Sequence, residues 1–129
     1  MSLGKTDAEK NLYELTKTML LKKQLKLIEK PDELILRGKS GKKWKFDLIV
    51  QNDNSEKFGI FVKDWKREIS VTQLRQLNKA CRDIDEIAGG ILVCNQITSF
   101  AEDFSEHFGV QILSRGRLVS KLRNYNYNY

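Results

Sequence analysis

Two short runs of alternating apolar residues constrain this chain more than anything else in it. Between Trp44 and Val50, the apolar Trp44, Phe46, Leu48 and Val50 alternate with Lys45, Asp47 and Ile49. Between Phe58 and Lys63, Phe58, Ile60 and Val62 alternate with Gly59, Phe61 and Lys63. A period of two is the mark of a strand, and it turns Asp47 and Lys63 off the main apolar face of their strands. Two such strands side by side bring a carboxylate and an ammonium together. That pair is the skeleton of a phosphodiester-cleaving site, in which the carboxylate holds Mg²⁺ and the lysine steadies an attacking water or a pentavalent phosphate. Two half-exposed residues on solvated strands are the plainer reading of the same spacing.

The rest of the chain supplies partners for those strands. Thr6 followed by Glu9 is a capping box, and Leu12, Leu15, Met19 and Leu20 carry a helical apolar stripe to about Lys22. Gln24 to Glu29 reads equally as more helix or as an edge strand, ended by Pro31. Glu33 to Gly38 reads as a strand that the turn Gly38-Lys39-Ser40-Gly41 joins to the Asp47 strand as a hairpin. Ser70 with Gln73 opens a second helix whose Val71, Leu74, Leu77, Cys81 and Ile84 face the core. Gly89-Gly90 is expected to end that crossover, before Ile91 to Cys94 forms a strand buried on both faces in a sheet with parallel pairing. Ser99 with Glu102 opens a third helix that turns Phe100 and Phe104 inward and stops at Gly109. Val110 to Leu113 is a last strand, and Ser114 caps a terminal helix to about Leu122. This order, α, three strands, α, β, α, β, α, predicts an α/β fold with a mixed central sheet and helices on both faces.

At 129 residues the chain fits one domain with a real core, placed at 1–123, followed by a flexible tail at 124–129. The tail, Asn124-Tyr125-Asn126-Tyr127-Asn128-Tyr129, is low complexity. No apolar run approaches the roughly 18 residues of a membrane span, and no secretory signal pattern is present, so no membrane partner is expected. Cys81 and Cys94 lie inside a helical and a strand pattern, where buried free thiols in a reducing cytoplasm are expected. His107, the single histidine, lies near a helix C-terminus and suits the dipole there.

The net charge of +6 favours a polyanionic partner, and its distribution says more. Arg37, Lys39, Lys42, Lys43 and Lys45 crowd together with no acid among them, immediately before Asp47. Arg115, Arg117, Lys121 and Arg123 likewise follow the last acid, Glu106. DNA is the expected partner, contacted through Arg37, Lys39, Ser40, Lys42, Lys43, Lys66 and Arg67.

The succession helix, strand, G-x-S-G-x-x-W-x-F-D-L-I, strand, V-K-D-W-K, helix resembles the Mrr-like branch of the PD-(D/E)xK restriction-endonuclease-like superfamily over most of its length. Gly38, Ser40, Gly41, Phe46, Asp47, Lys63 and Trp65 carry the match. The resemblance implies the restriction-endonuclease-like fold and a metal-dependent DNA endonuclease of restriction, repair or junction-resolving type. Asp47 would be the metal ligand for Mg²⁺ or Mn²⁺, Lys63 would position the nucleophile or stabilise charge, and a homodimer follows by analogy. The family's second motif is Glu or Gln, one residue, then Lys; here that first position is Phe61. A working site must therefore recruit another oxygen. A glutamate of the first helix, Glu14 or Glu9, has the best family precedent, with Glu33, Asp64 and the Val62 carbonyl as alternatives. Without it the resemblance implies a nucleic-acid-binding or assembly module with no cofactor.

Overall fold

The computed structural model describes residues 11–127, side chains included except at 108 and 124–127. Its elements run α1 (Leu12–Lys22), β1 (Lys26–Ile28), β2 (Ile35–Arg37), β3 (Lys43–Lys45), β4 (Leu48–Gln51), β5 (Lys57–Lys63), α2 (Val71–Asp83), β6 (Ile87–Cys94), α3 (Ser99–Phe108), β7 (Gln111–Ser114) and α4 (Arg115–Tyr127). A five-stranded sheet has the order β1-β4-β5-β6-β7, and β2 with β3 forms a separate two-stranded sheet. The pairs β1/β4 and β4/β5 are antiparallel, whereas β5/β6 and β6/β7 are parallel. The sheet is mixed, as expected. The segment open between helix and strand resolves as edge strand β1, after Gln24 takes a positive φ of 59°.

Each sheet face has its own core, which is why both parities of β4 and β5 are apolar. On one face Leu12, Leu15, Met19 and Leu20 of α1 and Leu118 and Leu122 of α4 cover Leu48, Val50, Ile60 and Val93. On the other, Leu74, Leu77 and Ala80 of α2 and Ala101 of α3 cover Ile49, Phe61, Leu92 and Ile112.

Helix starts follow side-chain chemistry at their caps. Asn11 Oδ1 accepts the Glu14 N–H at 2.8 Å and opens α1; the Thr6–Glu9 box lies outside the described residues. The Ser70 N–H and hydroxyl both donate to Gln73 Oε1, at 2.7 and 2.8 Å, so the expected second box forms. Thr98, one residue earlier than expected, caps α3 by accepting the Ala101 N–H at 3.1 Å. Ser114 Oγ accepts the Arg117 N–H at 3.2 Å, and α4 runs past Leu122 to Tyr127. Gly109 ends α3 with a left-handed φ of 71°.

Four expectations need correction. The run Trp44 to Val50 is two strands, because the chain breaks at Phe46-Asp47 and sends Phe46 and Leu48 into opposite cores. Five strands rather than three precede α2. Gly89 and Gly90 lie inside β6, where they pair with Phe58 and Gly59 of β5. Phe100 is 77% exposed, since Ala101 takes the inward place at the start of α3.

The break at Phe46 depends on Gly59. Phe46 is fully buried, and its ring lies where a side chain at 59 would be, with Cε1 at 2.3 Å from an ideal Cβ. We expect Gly59→Ala to destabilise the fold by about 1–3 kcal/mol through overpacking. Urea unfolding of the two proteins measures this, and equal midpoints would show that the ring moves aside freely.

Candidate functional site

Asp47 stands at the corner where the β2–β3 hairpin leaves the sheet. Its N–H donates to the Ile60 carbonyl at 3.0 Å, and its Oδ2 accepts the Val62 N–H at 2.7 Å. Both bonds tie the corner to β5, where Phe61 and Lys63 share one strand face by alternation. The outcome is a shallow pocket of about 370 Å³ lined by Lys42, Lys43, Trp44, Lys45, Asp47, Phe61, Lys63 and Gln76. Asp47 and Lys63 therefore meet in one pocket, and Phe61 borders it, as their spacing predicts.

Aromatic rings hold several of the cations. Lys63 Nζ lies 5.3 Å from the Phe61 ring centroid and 5.5 Å from that of Trp65. Lys42 Nζ sits 4.1 Å from the Trp44 centroid, and the Arg67 guanidinium 4.4 Å from that of Trp65. The Phe61 ring is 8% exposed and packs at 5.4 Å on Phe46. At the position of the family's second acid there is thus a core residue with one edge in the pocket.

Other expected site residues lie apart. Glu14 is exposed on α1, on the opposite sheet face, and lines a different depression with Lys17, Thr18 and Leu21. Glu33 sits in the turn before β2 and borders a third cavity, with Ile28 and Lys57 among its other walls. Glu9 lies outside the described residues. Asp64 points to the other side of β5, as alternation requires: it accepts the Leu12 N–H at 3.1 Å, the Asn95 amide at 2.9 Å and pairs with Arg115 at 3.5 Å. Its hydrogen bond from Asn95, then that from Leu12, holds its pKa below the usual carboxylate value. Arg37 ends β2, exposed, and Lys66 and Arg67 are exposed after β5. Lys39 forms an exposed pair with Asp85 at 3.2 Å.

Asp83, which no sequence motif singled out, organises the hairpin from the end of α2. It accepts the Ser40 N–H at 2.9 Å, the Ser40 hydroxyl at 2.6 Å and the Trp44 indole N–H at 2.9 Å, while its carbonyl accepts the Lys39 N–H at 2.7 Å. A Cβ on Gly38 would fall 1.8 Å from Asp83 Oδ2. The Gly-x-Ser-Gly-x-x-Trp stretch is thus a cradle for one carboxylate. Its hydrogen bonds from Ser40 and then Trp44 lower the Asp83 pKa. Gln76, also unflagged by the sequence, places the one α2 side chain in the pocket lining.

A hard divalent cation asks for several oxygen ligands in near-octahedral array. The pocket brings one carboxylate and one amide to four lysines. Among the described residues no group of three or more His, Cys, Asp or Glu side chains is placed to hold a metal. The donor set among the described residues does not fit a divalent metal centre.

The site therefore sits on a mixed α/β sheet with helices on both faces, with Asp47 at the corner before β4 and Lys63 at the end of the adjacent β5. The family model of the Mrr catalytic domain, described as restriction endonuclease, matches residues 14–122. The chain belongs to that family, and is a DNA nuclease-like protein. Its fold is shared with a crystallised protein of unknown function, AF1548 (TM-score 0.68, 10% identity, 88% of this chain and 67% of that one). A repair endonuclease from Pyrococcus abyssi shares it too (TM-score 0.54, 17% identity, 88% and 48%), as does EndoMS in apo form (TM-score 0.51, 15% identity, 88% and 47%). The chain thus spans about half the length of those two endonucleases. No curated protein sequence matches it.

The Asp83 cradle gives a pH dependence whose sign is set. Its folded pKa is lowered from 3.8, so the carboxylate's contribution is present above the unfolded pKa and is lost as pH falls through the depressed value. Trp44 fluorescence should therefore hold steady down to about pH 4, then change below it as the indole loses its acceptor. Asp83→Ala should show the altered Trp44 signal already at pH 7. An identical spectrum for the variant would remove Asp83 from hairpin positioning.

Proposed function

We propose that this chain is a DNA-binding protein built on the nuclease fold, in which metal-assisted hydrolysis is slow or absent. One observation carries this reading: the pocket at the position of the catalytic pair has four lysines and a single acid, with the Phe61 ring where a second acid would be. Family membership supports DNA as the polyanion. The basic residues Arg37, Lys39, Lys42, Lys43, Lys66 and Arg67 then contact phosphates, Ser40 braces their hairpin, and sequence preference is weak because nothing among the described residues resembles a recognition helix. Two free thiols whose pKa values burial pushes up to about 11 suit a reducing cytoplasm.

A hydrolytic reading is favoured by the meeting of Asp47 and Lys63 in one pocket. Under it a cation recruited by Asp47, Mg²⁺ or Mn²⁺, would lack a second protein acid, and Glu14 would have to be replaced in that role by a group nearer the pocket. Incubation of supercoiled plasmid with the protein in Mg²⁺ or Mn²⁺ separates the two. We expect retarded DNA and little nicking; robust cleavage abolished by Asp47→Ala would establish the enzyme.

DNA affinity should fall steeply with salt, and each phosphate contact removed should lower the log–log slope by about one unit. Replacing Lys42 and Lys43 with alanine should therefore reduce it by about two; unchanged affinity at low salt would take the hairpin out of the interface. Phe61→Glu should strengthen Mn²⁺ binding by adding an acid beside Asp47, yet cost about 3 kcal/mol or more because the ring is core. Calorimetric Mn²⁺ titration with parallel urea unfolding reads both effects.

A further inference from the structure

We propose that the pocket between the hairpin, β5 and α2 binds a phosphate group directly, without a divalent cation, and that Asp47 acts there as a strut for β5 rather than as a metal ligand. This deepens the DNA-binding reading and rests on it only for the source of the phosphate.

Charge is the first reason. Lys42, Lys43, Lys45 and Lys63 all line one cavity. Lys17, Lys39 and Lys57 each meet an acid within 4 Å; the four pocket lysines form no ion pair among the described residues. An anion seated in this lining is attracted by several positive charges at once, whereas a divalent cation at Asp47 would be repelled by them. Trp44 and Phe61 add apolar wall beside these charges, where an electrostatic attraction is less screened than in open water.

Preorganisation is the second. Lys42 rests on Trp44, and Lys63 lies between Phe61 and Trp65, so both ammoniums are held near the cavity before a ligand arrives. Less side-chain entropy is then lost on binding. Gln76 adds an amide N–H from α2 that can donate to a phosphate oxygen.

Asp47 has a role that needs no metal. Its Oδ2 is engaged with the Val62 N–H at 2.7 Å, and its own N–H with Ile60 at 3.0 Å, which together fix the corner that aims the lysines. An asparagine Oδ1 can accept the same Val62 N–H while removing the one negative charge that the described residues bring to the pocket. A metal ligand and a strut therefore predict opposite consequences for Asp47→Asn.

The test follows amide resonances of ¹⁵N-labelled protein in EDTA. Inorganic phosphate, a 5′-phosphorylated oligonucleotide and an unphosphorylated duplex are titrated in turn, which separates a monoester from the diester backbone. Saturable shifts at Val62, Lys63 and Gln76 are expected without metal, and Mg²⁺ should not tighten them. Asp47→Asn should bind phosphate about three- to tenfold more tightly, through loss of one like charge nearby; Lys63→Met should bind more weakly. The proposal is overturned if the shifts are absent, if they require Mg²⁺ or Mn²⁺, or if a folded Asp47→Asn binds more weakly in EDTA. Should that variant not fold, the wild-type comparison of EDTA with Mn²⁺ decides by itself. Phosphate binding without duplex binding would sink the DNA reading and leave this inference standing; duplex binding with no shift in the pocket would do the reverse.

Discussion

The ring of Phe46 fills the space where Gly59 lacks a side chain, and the site follows from that contact. A fully buried aromatic cannot continue along β3 into β4 without carrying the chain across the sheet, so the strand breaks and Asp47 lands at a corner. Gly59 permits the close approach because it has no Cβ. The neighbouring residue on β5, Phe61, packs on the same ring at 5.4 Å, which commits its position to the core. Where the family places an oxygen ligand, this chain has used the position to wedge its strand break.

Two carboxylates away from the pocket keep its walls in place, and they do so in different ways. Asp83 holds the lysine hairpin to the end of α2 through Ser40 and Trp44. Asp64 gathers the start of α1, Asn95 after β6 and Arg115 at the start of α4 around the end of β5. Both are hydrogen-bonded in their charged form, which lowers their pKa values and keeps them ionised at neutral pH. Asp47 also accepts a backbone N–H, that of Val62. In this protein the acids near the site brace backbone, while the lysines face the cavity.

That division bears on how a nuclease fold changes its chemistry. Losing one acid from the second motif leaves a pocket whose remaining charge is almost wholly positive. Electrostatic attraction for a phosphate survives that loss, whereas the coordination number a hard cation demands does not. The paired aromatic and basic residues at the end of β5 and just after it, Phe61 with Lys63 and Trp65 with Arg67, hold those charges in place.

The alternation of Phe58 to Lys63, the continuous apolar run Ile91 to Cys94 and the caps at Ser70 and Ser114 were legible in the residues alone, because each depends on local periodicity or on a hydrogen bond a few residues long. So was the meeting of Asp47 with Lys63, which needs only two adjacent strands with matching parity. Tertiary packing decided the rest. Period two in Trp44 to Val50 cannot reveal a break, since burial on both faces of a sheet makes both parities apolar. The placement of Glu14 on the far face, the exposure of Phe100 and the role of Asp83 depend on which helix covers which face, a matter of contacts 40 or more residues apart for Asp83 with Ser40. Local pattern chose the elements and brought Asp47 to Lys63; only the docking of α2 against the hairpin closed a pocket around that pair and the hairpin lysines.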